Sequence, residues 1–172
     1  MRIVLITSVQ PGAGKTTVAV NVACGLARRG YPTALVDLGR GQAAKLWLDK
    51  VAPDPGLLVY AGEELDKVNL EEPERQFAGE FIIVDLELTH PAAPGLLPKA
   101  DLIWVVAHPG GSSLDFATLH ELDEHVRIAR GSGVDQCIPA QINLREWENN
   151  DRNLMALLEF YGEDRIASLV PS

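Results

Sequence analysis

Over residues 2–30 an apolar run, a glycine turn and a stretch of helix formers follow one another without a gap. Arg2-Ile3-Val4-Leu5-Ile6-Thr7 is β-branched and apolar, the signature of a buried strand. It runs straight into Ser8-Val9-Gln10-Pro11-Gly12-Ala13-Gly14-Lys15-Thr16-Thr17, and Val18, Ala19, Val20, Val22, Ala23, Leu26 and Ala27 then predict a helix over 15–29 that stops at Gly30. Only residues without a Cβ let a backbone wrap closely enough to aim several N–H donors at one anion, which accounts for Gly12 and Gly14. The positive end of the following helix adds to that attraction. Pro11, Gly12, Ala13, Gly14, Lys15, Thr16 and Thr17 are therefore the expected cradle for a nucleotide triphosphate. Within it Lys15 bridges the β- and γ-phosphates, and the Thr16 hydroxyl ligates Mg²⁺.

The rest of the chain repeats the alternation of strand and helix. Strands are predicted over 32–37, 81–86, 102–107 and 134–142, with a short additional one at 57–60. Helices are predicted over 112–130, capped by Ser112 or Ser113 and ended by Gly131, and over 149–161, ended by Gly162. Several of the strand runs are apolar throughout, as strands covered on both faces must be. The pattern implies an α/β fold, a doubly wound, mostly parallel sheet flanked by helices. At 172 residues and 47% hydrophobic content, with no evident linker, a single domain over 1–172 is expected.

Magnesium needs fixed acceptors, and Asp37 and Asp85 each close an apolar run, at the sheet edge that also carries the glycine turn. Either acid has a competing use as a loop cap. Glu87 lies just beyond Asp85, where it either positions water or faces solvent at the strand end.

Charge and composition narrow the remaining functions. The net charge is −9, with Glu63, Glu64, Asp66, Glu71, Glu72, Glu74 and Glu80 set against Lys67 and Arg75 alone. Such a field repels phosphate backbones and anionic lipid, so neither nucleic acid nor membrane is an expected partner. There is no apolar run of about 18 residues, and Met1-Arg2 leads into a strand rather than a signal peptide, so the expected location is cytoplasmic. Cys24 and Cys137 are isolated and read as buried reduced thiols. Trp47, Trp104 and Trp147 read as packing residues. His90, His108, His120 and His125 are scattered, without the helical spacing of a shared metal site. A G-x-S-x-G nucleophile elbow is absent.

The strict G-x-x-x-x-G-K-[ST] pattern calls for glycine where this chain has Val9. Residues 11–17 together with Val18-Ala19-Val20-Asn21-Val22-Ala23 resemble instead the deviant Walker A region of ParA/MinD-type ATPases and of bacterial tyrosine kinases. The resemblance continues through Ala34-Leu35-Val36-Asp37, similar to the family's second-strand motif, and Phe81-Ile82-Ile83-Val84-Asp85, similar to its Walker B strand. Lys99-Ala100-Asp101-Leu102-Ile103-Trp104-Val105-Val106 and Ile142-Asn143 extend it further. It implies ATP or ADP with Mg²⁺, and a protein partner or homodimer. With the residue readings above, Lys15, Asp37 and Glu87 are the catalytic candidates and Thr16, Asp37 and Asp85 the metal ligands, and the resemblance implies an adenine contact from Asn143.

Two departures bear on activity. The family's signature lysine, which reaches the partner's phosphates across a dimer, is replaced by Gln10, an amide without charge. The family's second-strand motif ends in Asp-x-Asp, and its second acid is replaced by Gly39, so slow intrinsic hydrolysis is expected. Gly39 has a second reading as a turn glycine with positive φ, in which case Glu87 orients the water. Only Tyr31, Tyr60 and Tyr161 occur, without the terminal tyrosine cluster usual in the kinases, and the family's further helix after a segment like Val170-Pro171 is not in this sequence. Three functions stay open: a nucleotide-dependent positioning or partner-binding ATPase, a nucleotide-binding module with little hydrolysis, and a kinase- or ligase-type phosphoryl-transfer enzyme.

Overall fold

The computed structural model describes residues 1–9, 11–51, 55–67, 81–107, 116–139 and 151–166, without the side chains of 66–67, 116–117, 139 and 151–154. Its six strands are β1 (Arg2–Thr7), β2 (Thr33–Leu38), β3 (Leu57–Ala61), β4 (Phe81–Leu86), β5 (Leu102–Ala107) and β6 (Gln136–Pro139). They form one sheet in the order β3-β2-β4-β1-β5-β6, and every pairing is parallel. The helices are α1 (Lys15–Arg28), α2 (Ala43–Leu48), α3 (Ala93–Leu96), α4 (Phe116–Arg130) and α5 (Asp151–Tyr161).

The period of two along each strand divides the core into two layers. Ile3 and Leu5 of β1, with Val36, Val84, Ile103 and Val105, pack beneath Leu119, Leu122 and Val126 of α4 and Leu157 of α5. Val4 and Ile6, with Leu35, Ile83 and Val106, pack on Ala19, Val20, Ala23 and Ala27 of α1. The small residues on that face of α1 let it lie close to the sheet. With both faces covered, β2 is buried along its whole length, which explains why its sequence is nearly all apolar. The doubly wound sheet expected from the sequence is thus the observed fold.

Strand and helix ends differ from expectation by about a residue at β2 and α1. Expected strand residues 140–142 and helix residues 112–115 and 149–150 lie outside the described residues. Helix α2 and the short helical turns at Gly62–Lys67, Ala93–Leu96 and Leu97–Lys99 are not anticipated by the sequence pattern, being too short to show a period. Trp47 corrects the packing reading: α2 buries Ala44 and Leu48, one turn apart, and turns Trp47 outward at 41% exposure. Trp104 packs at the edge of the second layer, and Trp147 lies outside the described residues.

Because all strands run one way, their carboxyl ends share an edge. There β1 delivers the glycine turn, β2 delivers Gly39 and β4 delivers Glu87. The register places Asp37 directly beside Asp85 and Asp85 beside Ile6. In open α/β sheets this edge is where ligands bind.

Candidate functional site

The turn between β1 and α1 is shaped by two left-handed glycines, Gly12 at φ 76° and Gly14 at φ 92°. A Cβ on Gly12 would meet nothing within 4 Å, so glycine serves the backbone angle there rather than space. Gly14 sits at the N-cap of α1, where it offers no side chain to cap the helix amides, and the first turn carries no acid. The N–H groups of that turn and the positive helix end suit an anion such as a phosphate.

Lys15 and Thr16 converge on one carboxylate. The Lys15 ammonium donates to Asp85 Oδ1, and the Thr16 hydroxyl donates to Asp85 Oδ2 at 2.7 Å. Asp85 is fully buried and the Lys15 side chain is partly so, at 16% exposure. A carboxylate out of water keeps its charge only with such partners. The pair therefore holds the lysine at the mouth of the turn, beside the hydroxyl expected to ligate metal.

Asp37 is used differently. Its Oδ1 accepts from the Gly39 N–H at 3.0 Å, and its Oδ2 accepts from the N–H groups of Ala44 at 2.9 Å and Lys45 at 3.2 Å. The last two are first-turn amides of α2, whose own N-cap, Gln42, bonds none of them and sits at φ 52°. Asp37 thus caps α2 from a distance, the competing use that the sequence left open. Burial lifts its pKa above the ordinary 3.8, assisted by neighbouring Asp85 and opposed by the three amides. In this structure both of its oxygens accept from backbone amides.

Gly39 opens a turn, its carbonyl accepting from the Gln42 N–H at 3.3 Å, but it does not have a left-handed φ, so the expected positive φ is not what requires glycine there. Its backbone instead passes so close to the charged cluster that a Cβ would lie 3.2 Å from Asp37 Oδ1, 3.6 Å from Asp85 Oδ2 and 3.6 Å from Lys15 Nζ. Glu87 binds the next residue: its Oε2 accepts from the Arg40 N–H at 3.2 Å and its Oε1 pairs with Arg40 Nε at 3.2 Å.

These groups border a cleft of about 900 Å³ that includes residues 11–17, Gly39, Arg40 and Glu87. Its far wall is Thr118, Glu121, Leu122 and His125 of α4. Sequence reading missed this wall, although the spacing of those residues is a single helical stripe and was open to detection. Arg40 was missed as well, because a lone cation after a glycine has no pattern. Pro11, Ala13 and Thr17 line the cleft. Gln10, Asn143 and His108 lie outside the described residues.

Elsewhere, His90 Nδ1 accepts from the Ala92 N–H at 3.2 Å, and His120 packs edge-on against Phe160. Burial pushes the Cys137 thiol up to about 12, which leaves it unreactive. Among the described residues no three His, Cys, Asp or Glu side chains cluster as a metal site, and no helix is long and apolar enough to cross a membrane. A Mg²⁺ ion that rides on nucleotide phosphates needs only one or two protein ligands, so Thr16 and Asp85 fit it.

A model of the CobQ/CobB/MinD/ParA nucleotide binding domain family matches residues 4–165. The tyrosine-protein kinase CpsD of Streptococcus pneumoniae is 51% identical over 37 residues, a match that covers 22% of this chain and only 16% of the kinase. Among solved structures, apo McdA of Cyanothece superposes with a TM-score of 0.75 at 16% identity, covering 100% of this chain and 86% of McdA. Cobyrinic acid a,c-diamide synthase of Mycobacterium smegmatis, with bound ADP and magnesium, gives 0.70 at 16% identity, covering 99% of this chain and 85% of that one.

Proposed function

Since the chain belongs to the CobQ/CobB/MinD/ParA nucleotide binding domain family, we propose that it is a Mg-ATP-dependent switch that engages a protein partner or a second copy of itself, with slow hydrolysis of its own. The observation that carries this reading is the convergence of Lys15 and Thr16 on buried Asp85 at the foot of an uncapped glycine turn. Residues 11–17 hold the phosphates, Lys15 compensates their charge, and Thr16 with Asp85 holds the metal. Bound Mg-ATP supplies the anhydride whose presence or cleavage sets the state of the switch. Asp37, expected as a third ligand, supports the site by fixing α2 and Gly39. The ADP and magnesium in the cobyrinic acid a,c-diamide synthase structure support the choice of ligand. The cytoplasm, where Mg-ATP is available, is the compartment this reading implies.

Slow hydrolysis follows from chemistry at one point. In-line attack needs a water held behind the terminal phosphate, and Gly39 offers no side chain to hold it. Glu87 is tied through Oε2 to the Arg40 backbone N–H. A module that binds ATP and barely cleaves it differs only in degree. The short match to CpsD favours a second reading, phosphoryl transfer to an acceptor in the α4-walled part of the cleft.

Calorimetry with Mg-ATP tests the site. Lys15→Ala weakens binding at least about tenfold, because the phosphates lose the cation held at the glycine turn. Equal affinity in the variant removes Lys15 from the site and overturns the reading. Phosphate release with and without candidate partners, and product analysis with acceptors, separate the switch from the transferase.

A further inference from the structure

Among the described residues lining the cleft, the permanently charged cations are Lys15 and Arg40. The two are held very differently. Lys15 pairs with a fully buried carboxylate. The Arg40 side chain is 83% exposed, and its one described ion pair runs through Nε to Glu87, itself 32% exposed. A pair this open to solvent is weak, so a stronger anion displaces it readily.

The backbone around Arg40 is equally accommodating. Gly39 precedes it and Gly41, at φ 79°, follows it, so neither neighbour carries a side chain that would resist a change in direction. The position is also close to the phosphate site, since a Cβ on Gly39 would already lie 3.6 Å from Lys15 Nζ. Glu87 fastens the Arg40 N–H with one oxygen and the guanidinium with the other. Only the second bond has to break for the side chain to move. A guanidinium presents a planar fork of donors suited to two phosphate oxygens at once, which an ammonium cannot match.

Charge balance supplies the motive. In this structure each of the two cations faces a carboxylate, Asp85 or Glu87, and the cleft adds Glu121. Mg-ATP keeps a net negative charge even with its metal, so its terminal phosphate gains from a cation outside the Lys15–Asp85 pair.

We propose that Arg40, paired with Glu87 in this structure, transfers to the terminal phosphate of bound ATP, so that it reports the difference between tri- and diphosphate. This rests on the ATP reading above. Such a cis arginine would also lie where charge develops during phosphoryl transfer.

The test compares Mg-ATP and Mg-ADP affinities, by calorimetry, in the wild-type protein and in Arg40→Ala, Arg40→Lys and Glu87→Gln. Arg40→Ala is expected to weaken Mg-ATP about tenfold while changing Mg-ADP by less than about threefold, with Arg40→Lys between. Glu87→Gln, which frees the guanidinium, is expected to strengthen Mg-ATP binding by about twofold or more, since a competing charge pair is gone. Thermal melts of the ligand-free variants guard against misfolding, and the exposed Arg40 should leave Tm unchanged. Unaltered ATP affinity in Arg40→Ala, or equal loss of ATP and ADP, overturns the proposal. Wild-type protein that binds no Mg-ATP, or binds it as well after Lys15→Ala, overturns the ATP reading and this inference with it.

Discussion

A side-chain carbon on Gly39 would stand 3.2 Å from Asp37 Oδ1, aimed at the cluster that Lys15 forms with Asp85. The contact is tight by a few tenths of an ångström, and the backbone angle is one that any residue adopts. Substitution here is therefore limited by space and by the charges of Asp37, Asp85 and Lys15 rather than by the backbone angle, and a longer side chain extends toward the phosphate site. Gly39→Asp is expected to raise steady-state turnover, since a positioned carboxylate contributes about 10²-fold in general base catalysis. Gly39→Ala, which adds bulk without a base, should give no acceleration. Fast turnover by the wild-type protein without any partner would remove the deficit this argument assumes.

Glu87 provides the companion measurement. If its task is to hold Arg40, Glu87→Gln leaves the slow rate of phosphate release where it is. If Glu87 orients the attacking water, the same substitution abolishes turnover.

The double use of Asp37 oxygens on α2 amides yields a prediction about the ligand-free protein. Asp37→Ala strips two amides of α2 and that of Gly39 of their acceptor, and should lower stability by about 1–2 kcal/mol in denaturant titrations without nucleotide. A residue whose only role is to ligate magnesium would leave the ligand-free stability untouched, and that result would return Asp37 to the metal.

The contrast between Asp85 and Asp37 shows where sequence reading succeeds and stops. Both close apolar strands, and the period of the strands placed both at the ligand edge, side by side in register. What separates them is α2, six residues long, whose amides claim Asp37. A helix of that length has no readable period, so the sequence left both uses open. The glycine turn was legible because strand, turn and helix each have a local signal. Arg40 was not, because its significance comes from Glu87, a residue 47 positions away that β4 brings to the same edge.

Asn143 tests the one base contact inferred from resemblance. Its amide offers one donor and one acceptor, which match N6 and N7 of adenine. Asn143→Ala should weaken ATP and narrow the preference over GTP. Equal binding of the two nucleotides by the wild-type protein, unchanged in the variant, would mean that Asn143 only forms a turn.

Asp123 sets an acid limit on the fold behind the cleft. Its carboxylate is buried on α4, where Oδ1 accepts from the Val134 N–H at 2.9 Å and from Arg165 Nη2 at 3.0 Å, and Oδ2 accepts from Arg127 Nη2 at 2.8 Å. Arg165 also donates to the Val134 carbonyl and lies over the Tyr161 ring, 5.2 Å from its centroid, so one carboxylate ties α4 to the start of β6 and to the segment after α5. Gly133 leaves room for this, since a Cβ there would fall 2.3 Å from Oδ1. Burial is the largest single influence and raises the Asp123 pKa, but the bonds from Arg127, Val134 and Arg165 together outweigh it and hold the group below its ordinary 3.8. For an acid with a lowered folded pKa, the stabilisation is complete above the unfolded value and disappears as pH falls through the folded one. Asp123→Asn is therefore expected to lose about 2 kcal/mol at pH 7, a figure reduced for the half-exposed Arg127. That difference should persist down to about pH 5 and shrink below about pH 4, as the wild-type carboxyl takes up its proton. Denaturant unfolding of both proteins from pH 7 to pH 3 measures it, and a difference that stays constant over that range would show that the charge of Asp123 does not hold these elements together.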